Sequence, residues 1–93
     1  MINGNLSEFM DKVYLGEELL FEYEGVEYFL QGWSDSGMCT MVLDRLTPPT
    51  TKGYVWQCSY PTMRECAEEF LNKPLWDNKE FLKVETDITW KEF

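Results

Sequence analysis

The chain reads as an α+β domain: an antiparallel four-stranded meander sheet with N-terminal and C-terminal helices packed on one face. Three observations point there. Residues 19–30 (Leu-Leu-Phe-Glu-Tyr-Glu-Gly-Val-Glu-Tyr-Phe-Leu) fold about Glu24-Gly25 into a hairpin, which pairs Tyr23 with Val26, Phe21 with Tyr28 and Leu19 with Leu30 on one apolar face. Apolar residues recur at helical spacing on either side of the strand-rich middle of the chain. The strand-like runs between are joined mostly by short connections, which favour a meander, and its apolar face needs helices to cover it.

The elements follow in order. Leu6, Phe9, Met10, Val13 and Tyr14 predict a helix over 5–15, with Asn5 as its cap, Glu8 three residues on and Gly16 as its stop. The hairpin strands span about 19–24 and 26–33, and Ser34-Asp35-Ser36-Gly37 is a second turn. Residues 38–44 make a third strand. Leu46 to Gly53 contains Pro48-Pro49, which remove two donors, so a long exposed loop is expected there. Residues 54–60 are rich in aromatic and β-branched types and make a fourth strand.

Met63, Cys66, Ala67, Phe70 and Leu71 predict a helix over 62–73, started by Pro61 and a Thr62/Glu65 capping box and stopped by Pro74. Asp77-Asn78 would cap a last helix over 79–86 with Phe81, Leu82 and Val84 inward. Residues 84–90 also alternate, as a strand would; a helix running into an extended end is the preferred reading.

At 93 residues the chain is one domain, 1–93, that buries roughly 60–65% of its unfolded surface. The aromatic content of 16% gives each core position a large apolar payload, so folding without disulfides or metal is expected. Cys39, Cys58 and Cys66 are odd in number and irregularly spaced, and read as small apolar residues rather than a disulfide framework. The N-terminal residues have neither a basic stretch nor an apolar run, and no stretch approaches membrane-spanning length. A cytoplasmic protein with reduced thiols is expected.

The net charge of −9 is lopsided. Residues 1–44 carry nine acids against Lys12 alone; residues 45–93 are nearly balanced. Clustered Lys/Arg for phosphate is missing, which argues against direct nucleic-acid or anionic-membrane binding and favours a protein partner with a basic surface. Glu22 falls opposite Glu27 on the solvent side of the hairpin, with Glu24 close by. Like charges so placed are destabilising and call for a cause.

Chemistry finds little purchase. There is no histidine, which removes the common Ser-His and Cys-His systems and the usual imidazole ligands. The cysteines lack paired zinc spacing, and Ser34-Asp35-Ser36-Gly37 lacks a nucleophile elbow. Carboxylates on a solvent-facing sheet have nothing to exclude water, and Glu65, Glu68 and Glu69 read as the solvated side of a helix. No catalytic residue, cofactor or metal is expected. Of the four tryptophans, Trp56 reads as core; Trp33, Trp76 and Trp90, at element ends, are candidates for partial exposure.

Residues 5–10 (Asn-Leu-Ser-Glu-Phe-Met), the run from Gly16 to Phe29, and Met63-Arg64-Glu65-Cys66 with Phe70-Leu71 together resemble short uncharacterised proteins of Gram-positive bacteria and their mobile elements. Those also join a small helix to an F-x-Y-x-G-x-x-Y hairpin. The resemblance implies a bacterial or phage setting and no activity. By analogy, small acidic phage proteins include inhibitors that occupy nucleic-acid-binding surfaces of host enzymes.

The resulting expectation is a non-enzymatic interaction module. Glu17, Glu18, Glu22, Glu24 and Glu27 would meet a basic patch, standing in for phosphates if the target binds nucleic acid, and Trp33 would be the anchor. The alternative is a small homo-oligomeric structural protein whose acidity serves solubility only, a homodimer forming by edge pairing or by covering exposed tryptophan.

Overall fold

The computed structural model describes residues 1–49 and 53–92. The fold is α+β, with a five-stranded antiparallel sheet rather than four strands. The order along the chain is α1 (Leu6–Leu15), β1 (Leu19–Tyr23), β2 (Val26–Asp35), β3 (Met38–Thr47), β4 (Trp56–Tyr60), α2 (Met63–Asn72), α3 (Phe81–Val84), a 3-10 turn (Glu85–Asp87) and β5 (Ile88–Glu92). In space the strands run β4-β3-β2-β1-β5. The meander is therefore completed by a fifth strand that returns to lie beside the first.

Local chemistry explains most boundaries. Asn5 accepts from the Glu8 N–H at 3.1 Å to start α1. Gly16 ends it at φ 72°, where its N–H reaches back to the last turn. Thr62 accepts from the Glu65 N–H at 3.3 Å and donates to the Glu65 carboxylate at 2.9 Å, closing the predicted cap of α2. The β1–β2 register is the expected one, residue for residue. Its turn pair Glu24-Gly25 has φ of 51° and 79°, which suits a two-residue hairpin.

Several boundaries differ from expectation. β2 and β3 run on to Asp35 and from Met38, so the second turn is the pair Ser36-Gly37. β3 continues through Thr47, because a bulge at Glu27/Tyr28 keeps it paired to β2 up to the first proline. The predicted loop therefore starts at Pro48; its residues 50–52 lie outside the described residues. β4 begins at Trp56, with Val55 adding one backbone bond to Leu43.

The tail departs most. Asp77 and Asn78 adopt positive φ in a tight turn that bridges Trp76 to Lys79, and Glu80 precedes a helix only four residues long. In so short a helix only Phe81 and Val84, three apart, face the core; Leu82, expected inward, is 49% exposed. The alternation from Val84 onward becomes a strand at Ile88, and its far side receives Ile2. The Ile2 N–H donates to Ile88 O at 2.8 Å, and the Trp90 N–H to Ile2 O at 2.9 Å.

The core lies between one sheet face and the helices. Phe9 of α1, Phe21 of β1, Phe70 of α2 and Phe81 of α3 are fully buried. Trp76 is buried too, contrary to its place among the candidates for exposure. It stands edge-on to Tyr28 at 5.0 Å and Tyr23 at 5.6 Å between ring centroids. Gly32 lets α2 settle on β2: a Cβ there would come within 2.8 Å of Met63 Sδ and 3.2 Å of the Gly16 backbone.

Candidate functional site

Strand alternation divides the sheet. Leu19, Phe21, Leu30, Met41, Leu43 and Trp56 point into the core. The other face presents Glu22 of β1; Glu27, Phe29, Gln31, Trp33 and Asp35 of β2; Met38, Thr40, Val42 and Asp44 of β3; and Gln57 and Ser59 of β4. Among the described residues no helix packs on this face. Trp33 is 42% exposed and Met38 41%; they are diagonal neighbours, since Trp33 pairs with Thr40 and Met38 with Asp35.

The sequence-predicted patch is brought together only in part. Glu22 and Glu27 do face each other across β1 and β2. Lys91 of β5 resolves their repulsion: its Nζ lies 3.1 Å from Glu22 Oε1 and 3.5 Å from Glu27 Oε2. These contacts, that with Glu22 foremost, hold the ammonium pKa above its usual range. Thr47 donates to the remaining Glu27 oxygen at 3.0 Å. The sequence reading missed Lys91 because it did not commit the tail to a strand, yet the alternation of Ile88 and Trp90 already placed Lys91 on the opposite side.

Glu24 does not join this pair. Strand parity would place it there, but the positive φ of the turn swings it away, and its charge acts on Tyr23 and Tyr28 instead. Burial first, then the hydrogen bond to Asp77 (3.0 Å), pushes the Tyr23 phenol up to about 12.

Glu17 and Glu18 sit at the other end of β1. The Gly32 N–H donates to Gly16 O at 3.1 Å, and a shallow groove of about 400 Å³ there is lined by Lys12, Gly16, Glu17, Glu18, Gln31 and Gly32. Glu17 pairs with Lys12 at 3.7 Å. Trp33 is next to this end, roughly 20 Å along β2 from Glu27 at a strand's rise per residue. The anchor thus accompanies Glu17 and Glu18, not the hairpin tip.

A second acidic region lies on α2. Glu69 is no mere solvated residue: it accepts from Trp56 Nε1 at 2.8 Å and from the Tyr60 hydroxyl. The Tyr60 bond foremost keeps the Glu69 carboxyl below its usual range and, reciprocally, lifts the Tyr60 phenol to about 12.

The three thiols are free and gather where β3, β4 and α2 meet. Cys66 Sγ donates to Cys39 O at 3.4 Å, and burial pushes Cys58 up to about 12. Thiols so protonated are weak nucleophiles. Among the described residues, no group of three or more Cys, Asp or Glu is placed to hold a metal ion, and no helix is long and apolar enough to cross a membrane. No family model, curated protein or solved structure was found to match the chain.

Proposed function

We propose that the protein is a non-enzymatic interaction module whose open sheet face meets a basic surface on another protein. One observation carries the reading: the sheet spends one face on the main core and leaves the other without a helix among the described residues, with Val42 buried on it but Trp33 and Met38 exposed among carboxylates. Aromatic anchors inside a charged surround are what protein interfaces use, and complementary charge speeds encounter and rejects wrong partners. The end bearing Trp33, Asp35, Glu17 and Glu18 is the contact centre. Glu22 and Glu27 are largely answered by Lys91 and take a lesser part. A basic surface that otherwise holds nucleic acid is the kind of target these carboxylates fit.

The test is affinity capture at low and high salt with the wild-type chain and with Trp33→Ala/Glu18→Lys. A protein retained at low salt by the wild type, released by salt and lost with the double variant is the expected result. Retention by the variant equal to the wild type, or no retention by either, contradicts it.

A further inference from the structure

The two edges of the sheet are finished differently. Beyond β5 the chain places its own Ile2, which takes up one backbone donor and one acceptor there. Beyond β4, among the described residues, nothing pairs. An open edge offers a row of backbone donors and acceptors, and proteins commonly blunt it with charge or proline. β4 reads Trp-Gln-Cys-Ser-Tyr: it carries neither, in a chain that is 27% charged.

At the Tyr60 end of that edge lies a groove of about 360 Å³, lined also by Glu65, Glu68, Glu69 and Asn72 of α2 and by Lys73 just past its end. Three carboxylates and one ammonium line it, and Glu68 also makes a solvent-exposed ion pair with Arg64 at 3.6 Å, the kind of pair that water and salt screen. Glu69 is fixed by its bonds from Trp56 and Tyr60, so its charge stays at the base of the groove beside the strand.

We infer that an extended, lysine- or arginine-bearing segment of another protein adds to β4 as a further strand and lays its basic side chains in the α2 groove. The edge supplies backbone pairing; alternation does the rest. Every second side chain of an added strand would point to the α2 side and meet the carboxylates, and the others would lie beside Gln57 and Ser59 on the open face. A second copy of this chain fits poorly, because two-fold pairing of β4 would bring two acidic grooves together. This surface shares no residue with the Trp33 end, so the two readings stand or fall separately.

The experiment uses a synthetic peptide of alternating lysine and threonine, titrated calorimetrically into the full chain. Two control peptides accompany it: glutamate in place of lysine, and the lysine peptide N-methylated at alternate residues, which keeps the charge but blocks pairing. The expected result is saturable binding of the lysine peptide, loss with both controls, and affinity about tenfold weaker for Glu65→Gln/Glu68→Gln at unchanged circular dichroism. Equal binding of the N-methylated peptide would reduce the effect to charge alone and overturn the inference, as would no binding. Affinity that falls with Trp33→Ala/Glu18→Lys but not with Glu65→Gln/Glu68→Gln moves the peptide to the open face and overturns it too. Concentration-dependent dimerisation that excludes the peptide gives the edge to a second copy.

Discussion

Lys91 is the residue on which the hairpin's charge pattern turns. Two carboxylates directly opposite on neighbouring strands repel, and one ammonium from β5 bridges both. Lys91→Glu should therefore lower the urea midpoint, and added salt should narrow the gap to wild type by screening. A midpoint equal to wild type at low salt would show that the acids need no counter-charge. Glu69 and the phenols set the pH response. Glu69 has a depressed pKa, so its contribution is present above the unfolded carboxylate range and fades as pH falls through the folded value. Tyr23 and Tyr60, raised to about 12 from 10.0, act in the opposite direction: their contribution is full below pH 10.0 and is lost as pH climbs toward about 12. Burial raises the Tyr28 phenol too, so phenolate absorbance should show Tyr23, Tyr28 and Tyr60 titrating late, together with unfolding. Trp76 buries its indole N–H without a hydrogen-bond acceptor among the described residues. Its loss as a donor should cost little, so Trp76→Phe is expected to be far milder than Trp76→Ala, which should cost about 3–5 kcal/mol by denaturant unfolding.

At the level of elements, what was readable from the sequence tracks how local the cause is. The cap of α1, its glycine stop and the capping box of α2 each sit within a few residues, and all appear as expected. The β1–β2 register follows from alternation across a two-residue turn. The tail needed non-local information: residues 84–90 carry both helical and alternating patterns, and the choice is made by β1, whose far side the tail pairs, and by Ile2 beyond it. The same gap hid Lys91, while the positive φ of the hairpin turn, which strand parity does not convey, swung Glu24 away; the acidic patch could therefore be composed from sequence but not correctly apportioned. Ile2→Pro removes the N–H that bonds Ile88 and should raise the hydrogen-exchange rate at Trp90 while sparing β3; unchanged exchange at Trp90 would mean that β5 needs no cover. Gly16→Ala meets both a left-handed φ and Met63, and should cost more than about 1 kcal/mol.

For the molecule as a whole, the division of labour between the sheet's faces is the organising fact. One face and three helices make a small aromatic core; the other face, where Val42 is buried but Trp33 and Met38 are exposed, and the β4 edge carry no helix or further strand among the described residues, with carboxylates around them. A net charge of −9 gives such a surface a long-range electrostatic bias toward positively charged groups. Binding through the open face is the claim on which the account rests. Its most direct test is amide chemical-shift mapping of the labelled protein, titrated at low and high salt with the protein recovered by affinity capture. The account predicts changes concentrated in residues 31–35 and 38–42 and reversed by salt. Changes concentrated in α1 and α3, or unaffected by salt, would contradict it.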